Sequence, residues 1–176
     1  MTSGGGGGSR ADGRPTWPDE VLESLAIAYH ELYRETAGPD DDVAGLDWDQ
    51  LPEHLRESNR TTARALRREL RRLGYEVRRA SGDGRGLDAL PPEHVQRLAE
   101  AEHARWVDRK RSDGYVYGPE RRHEGAPRTH PDMVGWSRLT PDAQDKDRVR
   151  FTAAPRLLAA LGYEIVHRDG RRSRRD

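Results

Sequence analysis

Apolar residues recur along the chain at helical spacing, then at strand spacing, and the whole series appears twice. Val21, Leu22, Leu25, Ala28, Tyr29 and Leu32 predict a helix that opens after Pro18 with Asp19 as its cap. Leu55, Asn59, Thr62, Leu66, Leu70 and Leu73 predict a second helix. It starts near Pro52, where proline suits the first turn, and Gly74 stops it. Tyr75 to Val77 then alternates like a short strand. The second series has one stripe of Val95, Leu98, Ala99, Glu102 and Trp106. Another runs Ala143, Asp147, Ala154, Leu158 and Leu161, closed by Gly162 and followed by Tyr163, Glu164 and Ile165. Pro155 predicts a kink or restart in that last helix, because it lacks an amide donor.

The two series align residue by residue. Trp48-Asp-Gln-Leu51 matches Trp136-Ser-Arg-Leu139 at an offset of 88, and the same offset pairs Asn59 with Asp147 and Arg60 with Arg148. It also pairs Leu70, Leu73, Gly74, Tyr75 and Glu76 with Leu158, Leu161, Gly162, Tyr163 and Glu164. Leu25-Ala26 and His30 match Leu98-Ala99 and His103 at an offset of 73. The second copy therefore carries 15 extra residues between its first helix and Trp136. They include Tyr115-Val-Tyr117-Gly118-Pro119, which reads as a short strand and turn. An ordered series of this length marks an internal duplication. The predicted class is mainly α with small β elements (α+β), built from two pseudo-symmetric units. Each unit is a helix, a connector or hairpin, a second helix and a short strand.

The boundaries follow from composition. Residues 1–18, with Gly4 to Gly8 in a row, predict a flexible leader. The units span 19–79 and 92–167. Residues 80–91, rich in glycine, predict a flexible linker, and 168–176 a frayed basic tail.

Charge narrows the function. The 176 residues hold 31 basic and 31 acidic side chains, a formal net charge of zero, which argues against a general nucleic-acid binder. No apolar run approaches the roughly 20 residues that span a bilayer, and the glycine-rich start lacks a signal-peptide pattern. The absence of cysteine excludes disulfides and thiolate chemistry. These features predict a cytoplasmic protein. Only Lys110 and Lys146 are lysines, so nearly every cation is arginine. Charge also separates locally: seven acids and one arginine lie between Asp40 and Glu57, and eight arginines and two acids between Arg60 and Arg79. The simple reading is ion pairs on a solvated face; the sharper one is an anion-binding surface.

Chemistry points to binding rather than catalysis. His30, His54, His94, His103, His123, His130 and His167 show no metal-ligand spacing, no serine sits in a nucleophile elbow, and no phosphate-loop fingerprint is present. The chain is therefore expected to be no enzyme, with no catalytic residue, metal or cofactor. Asp40-Asp41-Asp42 reads as a solvated loop. Asn59 and Asp147 are polar residues at equivalent places on apolar stripes, and two roles stand equal: a structural hydrogen-bond network or ligand contact. His30 and His103 each precede a large aromatic by three residues, Tyr33 and Trp106, so ring and imidazole are neighbours on a helix face. Core packing is the default for such a pair.

The second copy resembles the ryanodine-receptor repeat (RyR) domain. The resemblance rests on Leu98-Ala-Glu-Ala-Glu-His103-Ala-Arg-Trp106, Gly114-Tyr115-Val-Tyr117-Gly118-Pro119 with Arg121-Arg122, Thr129-His130-Pro131-Asp-Met-Val134, Trp136-Ser-Arg-Leu139 and Leu158-Leu-Ala-Ala-Leu161-Gly-Tyr163. The first copy is similar to a degenerate repeat. It keeps His30-Glu-Leu-Tyr33, Trp48-Asp-Gln-Leu51-Pro52, Ser58-Asn59-Arg60 and Leu73-Gly-Tyr75, and lacks the hairpin and the His-Pro segment. The chain departs from the family pattern at Tyr115, where the family has tryptophan, at Arg122, where it has aspartate, and at Tyr33, where it has tryptophan.

The resemblance implies a pseudo-symmetric tandem pair with a cleft between copies, as in animal calcium-release channels; similar domains in bacteria occur beside ion-transport-regulating and nucleotide-signalling modules. It implies that the cleft takes a nucleotide-derived small molecule, an adenine nucleotide or an ADP-ribose-like signal, with Tyr33 and Trp106 stacking and His30 and His103 beside them. Arg60, Arg148, Arg109 and Arg121 are then candidates for phosphates, Asn59 and Asp147 for ribose or base edges, and Tyr115 and Tyr117 for further contacts. Sensor and sequestering protein fit equally, and the partner expected besides the ligand is an effector or ion-transport protein. A monomer and a homodimer both fit. The alternatives are a protein-interaction module using the same cleft, and an enzyme that degrades a nucleotide signal, as an anti-phage counter-defence factor would.

Overall fold

The computed structural model describes residues 17–37 and 43–168. Asp40 to Asp42, most of the predicted leader and most of the basic tail lie outside the described residues. Trp17, placed with the leader by composition, is buried in the core.

Four helices and four short strands form two helix–helix–strand units. The first unit runs α1 (Asp19–Thr36), a 3-10 turn (Trp48–Gln50), α2 (Glu53–Arg72) and β1 (Tyr75–Arg79). The second runs α3 (Pro92–Ser112), β2 (Tyr115–Tyr117), β3 (Arg128–His130), a 3-10 turn (Trp136–Arg138), α4 (Pro141–Ala160) and β4 (Tyr163–His167). The 88-residue offset relates α2 to α4, β1 to β4 and the two 3-10 turns at both ends of each element. Gly74 and Gly162 end their helices at φ +87° and +78°, a left-handed conformation that glycine enters without strain.

The strands carry the clearest sign of pseudo-symmetry. β1 and β4 pair antiparallel, with Tyr75 opposite His167, Val77 opposite Ile165 and Arg79 opposite Tyr163. Exchanging each residue for its equivalent 88 positions away returns the same pairing, so the Val77–Ile165 pair sits on the exchange axis. The flanking bonds obey the same rule: Ala80 N donates to Gly162 O and Arg168 N to Gly74 O, both at 2.9 Å. Beneath this sheet Leu25, Tyr29, Leu66, Leu70, Leu98, Phe151 and Leu158 from all four helices form one core. Burial of such side chains contributes about 1.5–3 kcal/mol each.

Several expectations change. Pro18 occupies the N-cap of α1, and Asp19 is the first helical residue. Pro52 likewise caps α2 rather than starting it. α4 runs unbroken through Pro155, which is buried with Phe151, Ala154 and Leu158; packing holds the helix where one backbone bond is missing. The glycine-rich 80–91 stretch is tied down rather than loose. Arg78 bonds Glu164 and Asp83, Leu87 N donates to Ile165 O, and Leu90 is buried. The insertion is no hairpin: β2 and β3 run parallel, and β3 also makes an antiparallel bridge from Thr129 to Arg122.

Candidate ligand-binding cleft

The two units enclose a cavity of about 250 Å³. Helical spacing decides who faces it. Along α2, Leu55, Ser58 and Asn59 lie at i, i+3 and i+4, one face of the helix. Their equivalents on α4, Ala143, Lys146 and Asp147, line the cavity from the other unit. His30 and Tyr33 on α1, and His103 and Trp106 on α3, complete the same correspondence.

Each unit fixes its histidine in the same way. His30 Nε2 donates to Leu46 O at 2.7 Å, and His103 Nε2 donates to Val134 O at 2.8 Å. Only the donor role is open to a ring nitrogen facing a carbonyl. Trp48 lies 6.1 Å from the His30 ring and Trp136 lies 5.9 Å from His103. Both imidazoles are buried.

The units differ at the second ring nitrogen. His103 Nδ1 lies 3.3 Å from Asp147 Oδ2. With Nε2 already committed as a donor, neutral His103 would aim a lone pair at the carboxylate. Burial opposes a charge on the ring, but the bonds to Asp147 and Val134 outweigh it and raise the His103 pKa above its ordinary value. Asp147 thus holds His103 and also lines the cavity. In the first unit Asn59 turns back to its own helix, donating from Nδ2 to Leu55 O at 3.3 Å.

Trp106 stands at the centre of the second wall. Its ring is stacked 5.8 Å from His103, meets His130 edge-on at 4.8 Å, and has Lys110 Nζ 5.9 Å from its centroid. His130 is buried, and burial with the nearby charges of Arg121 and Lys110 pushes its pKa down to about 3. The neutral ring accepts the Asp132 amide at Nδ1, 3.1 Å away. Beneath the cavity, buried Glu102 accepts the Thr62 hydroxyl at 2.7 Å and pairs with Arg105.

Of the residues singled out from sequence, His30, Tyr33, Asn59, His103, Trp106, Arg121 and Asp147 line the cavity. Arg60, Arg148, Arg109, Tyr115 and Tyr117 do not. Arg60 sits over Trp48 at 5.7 Å and bonds Glu23 and Glu53. Arg148 sits over Trp136 at 5.4 Å and bonds Gln96, Gln144 and Asp145. Glu23 and Gln96 are themselves 73 residues apart, so these two arginines repeat one structural bracket. Tyr115 packs behind the wall, under Lys110 at 4.4 Å and Arg128 at 4.7 Å, and Tyr117 is exposed with Arg138 6.0 Å from its ring. Arg109 lies in the last turn of α3, away from the lining.

Sequence reasoning missed Lys110, Lys146, His130 and Arg150, all cavity-lining. The lysines did leave a signal: they are the only two in the chain, one helical turn from Trp106 and next to Asp147.

The family model for the RyR domain matches residues 87–167. Residues 87–167 are an RyR domain. The domain begins where Leu87 joins the edge of β4, five residues before α3, and it supplies the whole second wall of the cavity. The facing wall, with His30, Tyr33 and Asn59, comes from residues before the RyR domain. No curated protein matches the chain. Among the described residues no helix is long and apolar enough to cross a membrane, and no group of three or more His, Cys, Asp or Glu is placed to hold a metal.

Proposed function

We propose that the chain is a non-enzymatic tandem RyR protein, with residues 19–79 as a degenerate first repeat, that binds a nucleotide-derived small molecule between its repeats. The ligand is an adenine nucleotide or an ADP-ribose-like signal, and the protein acts in the cytoplasm as its sensor or sequestering agent. One observation carries the reading: Tyr33 and Trp106, equivalent aromatics from two units, line one cavity. A base on such a ring gains about 1–3 kcal/mol per stack. The cavity's about 250 Å³ is near the small end of ligand pockets and suits a nucleoside moiety.

Thermal denaturation with ATP, ADP, ADP-ribose, cyclic ADP-ribose and cyclic dinucleotides tests this. A ligand at 100 times its Kd adds about 2.7 kcal/mol, several degrees for a chain of this size. Trp106→Ala removes that shift while leaving the helical circular-dichroism signal. A shift that survives the substitution refutes the stacking role. Silence across the panel from a folded sample transfers the cleft to a protein partner.

A further inference from the structure

The two walls of the cleft are equivalent in position but differ in charge. Among the described residues, the first unit contributes no lysine, arginine or carboxylate to the lining. The second contributes Lys110, Arg121, Lys146 and Arg150. The contrast falls on equivalent sites: Ser58 faces Lys146's place, Thr62 that of Arg150, and Ala37 that of Lys110. Duplication alone would make the walls alike, so the cations are a property of one side.

Three of those cations, Lys110, Lys146 and Arg150, are not used up internally. The wall's three carboxylates are Glu102, Asp132 and Asp147. Glu102 is taken by Arg105 and Thr62, and Asp147 by His103. Asp132 lies 3.9 Å from His130, a ring kept neutral. Lys110, Lys146 and Arg150 form no ion pair among the described residues. Lys110 is half-buried with its ammonium against the rings of Tyr115 and Trp106. Burial lowers its pKa; Asp113 opposes that, and the neighbouring charges of Arg109, Arg121 and Arg128 add to it. Cations gathered around a half-buried ammonium repel one another unless an anion joins them.

We infer that the second-unit wall is a phosphate subsite, in which Lys110, Lys146 and Arg150 hold a group of two or more negative charges, so that the ligand binds in one orientation. Its uncharged edges then face Ser58 and Asn59 of the first unit. The inference rests on the cleft being the ligand site proposed above, and it names the ligand's second chemical half: a di- or triphosphate rather than a free base or nucleoside.

The test is calorimetric titration of the full chain with inorganic tripolyphosphate and, separately, ADP-ribose. It compares wild type, K110Q/K146Q and the surface control R111Q, whose side chain is 64% exposed. The expected result is that tripolyphosphate binds wild type and R111Q alike and is lost in K110Q/K146Q, while ADP-ribose weakens at least tenfold. Tripolyphosphate that fails to bind wild type, or that binds K110Q/K146Q equally, overturns the subsite. Equal weakening by R111Q overturns it too, as general surface charge. Tripolyphosphate bound and lost as expected, with no ADP-ribose binding, keeps the subsite and removes the nucleotide reading. Binding of neither removes both. Because Lys110 packs on Tyr115 and Trp106, the helicity and melting of K110Q/K146Q are measured alongside, and K110R/K146R should restore tripolyphosphate binding.

Discussion

Replacing Asp147 by asparagine should destabilise the protein in acid and hardly at all in base. The His103 ring already donates Nε2–H to Val134 O, so its Nδ1 can meet the Asp147 carboxylate favourably only when protonated. Asparagine removes the charge and can donate to a neutral Nδ1, which leaves a pair that no longer depends on a protonated ring. A hydrogen bond to a charged group contributes about 1.5–3 kcal/mol, and Asp147, with 24% of its side chain exposed, is partly screened, so about 1–2 kcal/mol is at stake. The folded pKa of His103 is raised, so this stabilisation is fully present below the unfolded value of about 6.5 and disappears as pH rises through the folded pKa. Urea unfolding of wild type and Asp147→Asn at pH 6 and pH 9 measures it. The gap should be about 1–2 kcal/mol at pH 6 and under about 0.5 kcal/mol at pH 9. An equal gap at both values would refute the protonated pair.

Two further outcomes follow from the same geometry. His130 is held neutral with its pKa down to about 3, so the stability it contributes is present above about pH 6.5 and falls as pH drops toward 3; His130→Gln should flatten the acid limb of a pH–stability curve. Arg60→Ala should leave ligand binding unchanged and cost about 0.5–1.5 kcal/mol in chemical denaturation, because its partners are Glu23, Glu53 and the Trp48 ring, all outside the cavity lining.

The architecture was readable from sequence because duplication left it written twice. The pairing of Leu73-Gly74-Tyr75 with Leu161-Gly162-Tyr163 located both helix ends and both strands at the offset the structure shows. Half the site was readable for the same reason, since Tyr33, Asn59 and their equivalents face the cavity. Arg60 and Arg148 fall outside the lining: duplication marks a shared role without saying which. Arg60 follows Asn59 directly, and one residue turns a helix by about 100°, which carries the guanidinium from the cleft to Glu23. Lys110 and Lys146 escaped the same reasoning from the other side: they have no cationic counterpart in the first unit, so a search for matched positions passes over them. The parallel pairing of β2 and β3 was also hidden, because three-residue strands fit either direction and only the crossover through Arg122 and Thr129 decides. The 80–91 stretch looked loose by composition, yet Glu164 reaches across to it from β4 through Ser81 and Arg78.

The most direct test of the cleft as a stacking site uses the four tryptophans. Trp17 is buried in the core, and Trp48 and Trp136 sit under Arg60 and Arg148, so Trp106 alone presents its ring to the cavity. Indole N–H signals in a 15N NMR spectrum, assigned by single Trp→Phe variants, can be followed as ADP-ribose is added. The account predicts a large saturable upfield shift at Trp106, with small changes at Trp17, Trp48 and Trp136. Saturable binding that leaves the Trp106 signal in place would contradict it.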